Sequence, residues 1–540
     1  MDKAHPPLLS PTIRRHSWVL GLLALVLFIA GNWNQAIIGF DSRFVLFAQE
    51  MLRHGPGFFP TTYGQPYADY LATSTLLTWL LSVPLGQVTS LTAWLPTAIA
   101  SALIVVLLYR LTAPYSRRWA LLSIAVMLLS STFISETRAV SLDQMLAAVA
   151  LAVFYLGYAH DHFGAAKRLH WLFALLILGF AIRGPIGLVI PTGMLCSYYL
   201  INRQWRQLFS FGLLALALLA ACVGLLLLLA KLSGGETFMQ DVIRMQFLGR
   251  MDGTEGSGSA LYYFSSSLGN YAPAYPLAIL ALVAIVAGGR EDKGPALKLV
   301  LYCLAAGLIV MIGLSVPQAK KARYVLPMLP LAAIIAAYPF QVSRGRLFAG
   351  LRWLMLGLWT VIPGLLIAGL FVARHRFPEQ IGSLNPVFGI LIAIQVLALG
   401  LLFNRRLRYV GPAFAAVLAV WLAYIVMVEP LERRLYDTRT FTLQAHALTQ
   451  LQPAPLVLHA LGKDAKAIKF MVNLDCDRVP LFTQLPADLA PIQAPAWLIM
   501  SQSDYEALSD PRFRSLQPVL TGQFDKNPYV LLHLIKPAQP

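Results

Sequence analysis

Two aspartates, Asp41 and Asp143, stand at matching edges of long apolar runs in this 540-residue chain. Ionisable groups at a membrane boundary are costly unless paired or solvated, which makes them functional candidates. Asp41 lies in Phe40-Asp41-Ser42-Arg43, just past the first apolar run. A carboxylate there can take a proton from an acceptor hydroxyl; it equally suits the cap of a helix running through Met51. Asp143 shares Ser135-Glu136-Thr137-Arg138-Ala139-Val140-Ser141-Leu142-Asp143 with Glu136 and Arg138, where the arginine can contact substrate or pair with an acid. A third acid, Asp69, sits beside Tyr70, an arrangement that fits either sugar binding or an interfacial aromatic belt.

The cations supply the complementary chemistry. Lys320, Lys321 and Arg323 precede Tyr324 in Val316-Pro317-Gln318-Ala319-Lys320-Lys321-Ala322-Arg323-Tyr324, at the start of an apolar segment holding Pro327 and Pro330. Cations together with helix N-terminal amides make a phosphate site; the alternative is lysines snorkelling to the interface. Arg183 stands in the turn Ile182-Arg183-Gly184-Pro185, and Arg244 and Arg250 in a Gly- and Ser-rich stretch. A lipid-linked phosphate is the partner these charges would meet.

Composition dictates what must position them. Hydrophobic residues make up 58% of the chain, charged residues 12%, and the mean hydropathy is +0.65. Soluble domains carry about 25% charged residues. Apolar stretches near spanning length fall at about 17–39, 91–111, 118–134, 143–158, 171–182, 186–201, 207–231, 272–288, 296–315, 323–340, 348–372, 386–403 and 409–428. The expected fold is a polytopic α-helical membrane protein of about 13 transmembrane helices with juxtamembrane helices. Segment 72–86 reads as juxtamembrane or re-entrant, and no cleavable signal peptide is evident.

With a cytoplasmic N-terminus, Arg110, Arg117, Arg118, Lys167, Arg168, Arg203, Arg206, Arg290, Lys293, Arg344, Arg346, Arg405, Arg406 and Arg408 all fall on the cytoplasmic face. That bias explains the net charge of +17 without a nucleic-acid partner. Asp41, Asp143 and the candidate cations then share the opposite face with two long loops, about 40–90 and 232–271, and with the tail 429–540. The tail reads as a soluble α/β domain, with strands at 455–461, 496–501 and 529–535 and helices at 504–508 and 511–516. Residues 1–428 form the membrane domain. The cysteines Cys196, Cys222, Cys303 and Cys476 offer no disulfide framework. No cofactor is implied; a divalent metal is admissible, although His54, His375, His446 and His459 lack ligand spacing.

Taken in order, these motifs resemble the GT-C superfamily of membrane glycosyltransferases, in the dolichyl-phosphate-mannose protein mannosyltransferase family. In layout the chain is similar to the bacterial lipid A aminoarabinose transferases. Asp41 matches the acid after the family's first span, and Asp143 the Asp opening its fourth. Arg183-Gly184-Pro185 matches a Lys-Gly-Pro turn, and Lys320 or Lys321 through Pro330 a Lys-x-x-Arg/Tyr-Tyr-x-Leu-Pro-x-x-Pro span. Ser42 stands where the family often has Glu, and Leu71-Ala72-Thr73-Ser74-Thr75-Leu76 replaces a Lys-Pro-Pro-Leu motif. The resemblance implies an inverting transfer of a sugar from an undecaprenyl or other polyprenyl phosphate to a lipid A, envelope glycan or protein acceptor, at the periplasmic face of a bacterial inner membrane. Asp41 and Asp143 would be the catalytic pair. Lys320, Lys321, Arg323, Arg183, Arg244 and Arg250 would hold the donor phosphate, and Asp69, Tyr70, Glu136, Arg138 and Tyr324 the substrates. A flippase of a lipid-linked substrate, or an oligosaccharide polymerase or ligase, are the alternatives.

Overall fold

The computed structural model describes residues 10–164, 169–253, 257–288, 294–342, 345–376, 385–477 and 479–535. Lys167, Arg168, Arg290, Lys293 and Arg344, used in the orientation argument, lie outside the described residues. The chain forms two compact units. The first falls within Met1–Asn32, Pro66–Ser74 and Trp94–Val426, the second within Trp33–Gln65, Thr75–Ala93 and Met427–Pro540.

The first unit is helical because hydrocarbon offers no partner for a backbone N–H or C=O, so each segment must satisfy its own. Each expected span overlaps a helical segment, from Pro11–Ile29 to Val410–Ala423, although the first helix ends ten residues short of the expected 39. Not all are long. Among the described residues eight helices have the length and apolarity to cross a bilayer, or ten if two bent pairs, Arg117–Leu128 with Ser131–Thr137 and Tyr262–Asn270 with Ala274–Ala287, each count as one span. Trp171–Arg183, Pro185–Ile201 and Asn385–Leu401 are shorter. Leu213, Leu216, Leu225 and Leu228 on the helix Trp205–Ile243 are exposed, as side chains solvated by lipid are.

Two departures from the sequence expectation have local causes. The helix expected to end near 231 continues as Trp205–Ile243, broken at Gly234–Gly235, and runs into a π-helical turn, Arg244–Leu248. The segment expected to begin as a span near Arg323 starts as a 3₁₀ helix, Ala322–Met328, and becomes α-helical at Leu329–Ala336. Pro327 and Pro330 remove the N–H groups an α-helix would need there.

The second unit carries a small five-stranded sheet. Its strands are β1 (Leu456–His459), β2 (Leu481–Thr483), β3 (Ala496–Ser501), β4 (Leu520–Phe524) and β5 (Asn527–Leu534), in the order β2-β1-β3-β5-β4. β1 pairs parallel with β2 and β3, while β5 pairs antiparallel with β3 and β4. Every residue of β1 and β3 is buried, as expected of central strands covered on both faces. Val457, Leu498, Met500, Val530, Leu532 and Phe513 build one core. β2, β4 and the helices Arg439–Leu451 and Ala467–Leu474 add to the expected elements. Also in this unit, the helix Asp41–His54 holds a turn through buried Glu50, whose carboxylate accepts the backbone N–H groups of Tyr63 and Gly64 (2.5 and 3.2 Å).

Candidate active site

In the first unit the charged residues converge on Asp143. Its position is set from the backbone up. Ser141, extended at φ −112°, ψ 109°, caps the helix Leu142–His162 by accepting from the Gln144 N–H, and its own N–H donates to Thr97 Oγ1. That places Asp143 in the first turn, where the helix dipole favours a carboxylate. Asp143 is 5% exposed. Arg183 Nε donates to its Oδ1 and Arg323 Nε to its Oδ2, both at 3.0 Å.

Arg183 arrives through a tight reversal between Trp171–Arg183 and Pro185–Ile201. Gly184 sits at φ +64°, ψ −149°, a conformation for residues without a Cβ. The two helices then meet backbone to backbone: a Cβ on Gly187 would lie 1.9 Å from the Gly179 carbonyl oxygen. The Arg183 guanidinium is buried over the rings of Tyr324 (5.2 Å) and Tyr70 (6.0 Å), with Tyr70 stacked on Tyr67. Among the described residues Arg183 commits only Nε to a hydrogen bond, so its terminal nitrogens are the donors left for a ligand. Glu136, whose carboxylate accepts from Ser141 Oγ (2.5 Å), shares the field of Asp143, Arg323 and Arg183.

A second ion pair joins Asp69 Oδ1 to Arg250 Nη2 at 3.0 Å. Gln246, buried within the π-helical turn, donates to the carbonyls of Asp69 (2.6 Å) and Ala68 (3.3 Å). Sequence reasoning missed Gln246. Its signal was weak, a neutral side chain between two arginines. Lys320 Nζ donates to the carbonyls of Gly258 and Pro317, fastening the loop. Arg244 is exposed at the start of the π-helical turn and Lys321 is exposed at the N-cap of the 3₁₀ segment. Arg138 Nη1 instead binds the carbonyls of Phe28 and Ala30, closing the C-terminal end of the helix Pro11–Ile29.

Asp41 belongs to the second unit. It is the first residue of the helix Asp41–His54; Phe40 occupies the cap position, so Asp41 lies one residue further in than a capping role requires. Among the described residues no three His, Cys, Asp or Glu side chains stand close enough to hold a metal ion. The four histidines are separately engaged: His54 with Asp477, His375 with the Phe371 carbonyl, His446 with Gln450, and buried His459 with Thr483.

Comparison with known proteins agrees with this layout. A family model described as dolichyl-phosphate-mannose-protein mannosyltransferase matches residues 74–230, a stretch that includes Asp143 and Arg183. No curated protein sequence matches the chain. Among solved structures, the crystal structure of ArnT from Cupriavidus metallidurans bound to undecaprenyl phosphate aligns with a TM-score of 0.73 at 17% identity, covering 98% of this chain and 100% of that one. Its apo state aligns at 0.70 and 17%, covering 97% and 99%. The fold is shared over the whole length. The family model covers less than a third of the chain, and the structural matches show a shared fold.

Proposed function

We propose that this multi-pass membrane protein, similar in family model and fold to GT-C glycosyltransferases, moves a sugar from a polyprenyl-phosphate donor to an acceptor at the exoplasmic face. The observation that carries the reading is the pair of guanidiniums, Arg183 and Arg323, held on the one buried carboxylate of Asp143. Such a pair suits an anionic leaving group: fixed donors in a water-poor site stabilise charge as it develops, at about 3 kcal/mol for one well-placed contact. The undecaprenyl phosphate bound to the ArnT structure of the same fold supports a polyprenyl donor.

In the proposed step an acceptor oxygen attacks the anomeric carbon on the face opposite the phosphate. The carbon–oxygen bond to phosphate breaks, its electron pair stays on the phosphate, and the anomeric configuration inverts. Asp41 takes the proton of an acceptor hydroxyl; a phosphate acceptor needs no base, and Asp41 then orients it. Asp143 positions Arg183 and Arg323 on the phosphate. Arg250, released from Asp69, and Arg244, Lys320 and Lys321 add positive charge around it. Tyr70, Tyr324, Asp69 and Glu136 line the sugar. The wider frame of the proposal is thirteen spans, a cytoplasmic N-terminus, a catalytic membrane domain over residues 1–428, a periplasmic α/β domain over residues 429–540, and a bacterial inner membrane.

The test is transfer of label from a panel of undecaprenyl-phosphate sugars into envelope lipid, glycan and protein fractions by purified protein, beside Asp41→Asn. Label that moves with the natural protein and not with the variant supports the reading. A lipid-linked sugar that crosses proteoliposomes without being consumed overturns it in favour of a flippase.

A further inference from the structure

Within the first unit, arginines and aromatic rings from three chain segments meet at one end of the helices. The helix Arg117–Leu128 begins with Arg117 and Arg118, and the helix Arg346–Arg376 carries Trp353 near its start. The turn joining Asn385–Leu401 to Val410–Ala423 supplies Arg405, Arg406, Arg408 and Tyr409. The Arg408 guanidinium lies over the Tyr409 ring at 4.9 Å and over the Trp353 ring at 5.8 Å; that of Arg118 lies over the Tyr409 ring at 5.8 Å. Tyr409 is itself packed edge-to-face on Phe340, with ring centres 5.2 Å apart. The turn is pinned by Asn404, whose Oδ1 accepts the N–H groups of Arg406 (3.0 Å) and Leu407 (3.4 Å) and whose carbonyl accepts that of Arg408 (2.8 Å). Side-chain bonds of this kind fix a turn's backbone, so the arginines are presented on a defined scaffold.

These charges have no counter-ion in the protein. Among the described residues the Arg118 and Arg408 guanidiniums contact rings and no carboxylate, and the Arg405 and Arg406 side chains are exposed and unpaired. The sequence offers no acid nearby to pair them. No Asp or Glu occurs between Asp69 and Glu136, between Asp292 and Glu379, or between Glu379 and Glu429, the stretches that hold every part of the cluster. Topological bias accounts for cations at a helix end but accepts lysine and arginine alike. All four here are arginine, whose planar fork stacks on rings and grips a phosphate through two parallel N–H groups. Apolar surface adjoins the charges: Trp353 is 65% exposed and Phe403 is 89% exposed. Leu354, Leu358, Val361 and Leu365 are exposed at the i, i+4, i+7, i+11 positions of the helix Arg346–Arg376, forming one stripe along it. Cations above an apolar stripe, with Trp and Tyr between them, match the order of phosphate, glycerol and acyl chain at a bilayer interface.

We propose that this cluster binds the head group of an anionic phospholipid of the surrounding bilayer. Arg408 and Arg118, held on one tyrosine, take its phosphate; Arg405 and Arg406 stand at the rim, and an acyl chain follows the stripe from Leu354 to Leu365. The lipid phosphate relieves the mutual repulsion of the unpaired guanidiniums and ties the turn 402–409 to the start of the helix Arg117–Leu128. The site uses no residue of the proposed sugar transfer. It depends only on the chain spanning a bilayer, and it stands whichever face this end occupies.

Native mass spectrometry of the full chain in detergent, titrated with phosphatidylglycerol or phosphatidylcholine of the same acyl chains, tests it. The proposal expects one phosphatidylglycerol retained per chain, bound about tenfold tighter than phosphatidylcholine. It expects that binding to weaken roughly tenfold in Arg408→Gln and in Arg118→Gln, the scale of one charge-assisted hydrogen bond. Arg408→Lys keeps the charge and gives up the fork, so it should lose nearly as much. Arg206→Gln removes an exposed arginine from another loop of the same expected face and should leave binding unchanged. Should the Arg118 or Arg408 variants melt early, the double variant Arg405→Gln with Arg406→Gln, which alters exposed side chains only, must still weaken binding. Equal affinity for the two lipids, or an equal loss in Arg206→Gln, would reduce the cluster to diffuse surface charge and overturn the site. Undiminished binding in a folded Arg408→Gln overturns it as well. Displacement of the lipid by inorganic phosphate at the same concentration would give the cluster to a free anion and overturn the lipid assignment.

Discussion

Asp143 carries two jobs that a single substitution separates. With two guanidiniums on one buried carboxylate, removing the charge leaves buried cations without their anion. Loss of one partner of a buried pair costs about 3–5 kcal/mol. Asp143→Ala should therefore lower the melting temperature sharply, as read by tryptophan fluorescence in detergent, whereas Arg323→Gln, which leaves Asp143 paired with Arg183, should lower it less. Equal melting of Asp143→Ala and natural protein would show that the pair does not hold the site. For donor binding, Arg183→Lys keeps the charge but gives up the planar fork over Tyr324 and Tyr70. Lysine is not a substitute at a stacked arginine, so affinity for undecaprenyl phosphate should fall in the lysine variant nearly as far as in Arg183→Gln. His459 offers a pH handle outside the membrane. Burial holds its imidazole below the ordinary value, so the unfolded chain binds the proton first. Stability is then full above about pH 6.5 and declines as pH falls through that value, by at most about 1.4 kcal/mol per pH unit. Melting curves between pH 5 and 8 should flatten in His459→Gln.

Elements place these residues through a few local constraints. The reversal at Gly184 puts Arg183 at a helix end, and contact between Gly179 and Gly187 sets how closely the two helices approach. Gly187→Ala forces that contact apart, an overpacking that typically costs about 1–3 kcal/mol, and should weaken donor binding by displacing Arg183. Gly193→Ala in the same helix, where a Cβ meets only ordinary contact with Ile309 at 3.6 Å, should leave both stability and binding unchanged. If the two variants behave alike, the close approach does not position the site. The elements bearing Asp143 and Arg323 were legible in the sequence as the apolar runs 143–158 and 323–340, but the 3₁₀ start of the second was not. The π-helical turn Arg244–Leu248 was not, because no side-chain pattern separates it from α-helix.

For the whole molecule, orientation is the testable quantity. The positive-inside argument puts the tail outside the cytoplasm, and Cys476 is half-buried in the tail while Cys196, Cys222 and Cys303 lie in apolar helices. A membrane-impermeant maleimide applied to intact spheroplasts should label the natural protein and fail to label Cys476→Ser. Labelling that requires lysis would invert the topology and move the proposed chemistry to the cytoplasmic face.

The sequence by itself determined the helical membrane class, the placing of the apolar segments, the central strands of the tail and the list of charged residues worth asking about. These are properties of composition and period, which local physics imposes wherever the chain goes. Tertiary structure alone decided which charges meet. It turned Arg138 onto the end of the helix Pro11–Ile29, brought Arg183 and Arg323 onto Asp143 across 40 and 180 residues of chain, and gave Gln246 a place beside Asp69. It also brought Arg118 to Tyr409 and Trp353 to Arg408. Pairings of that kind depend on how helices and strands pack over long sequence separations, and no local pattern encodes them.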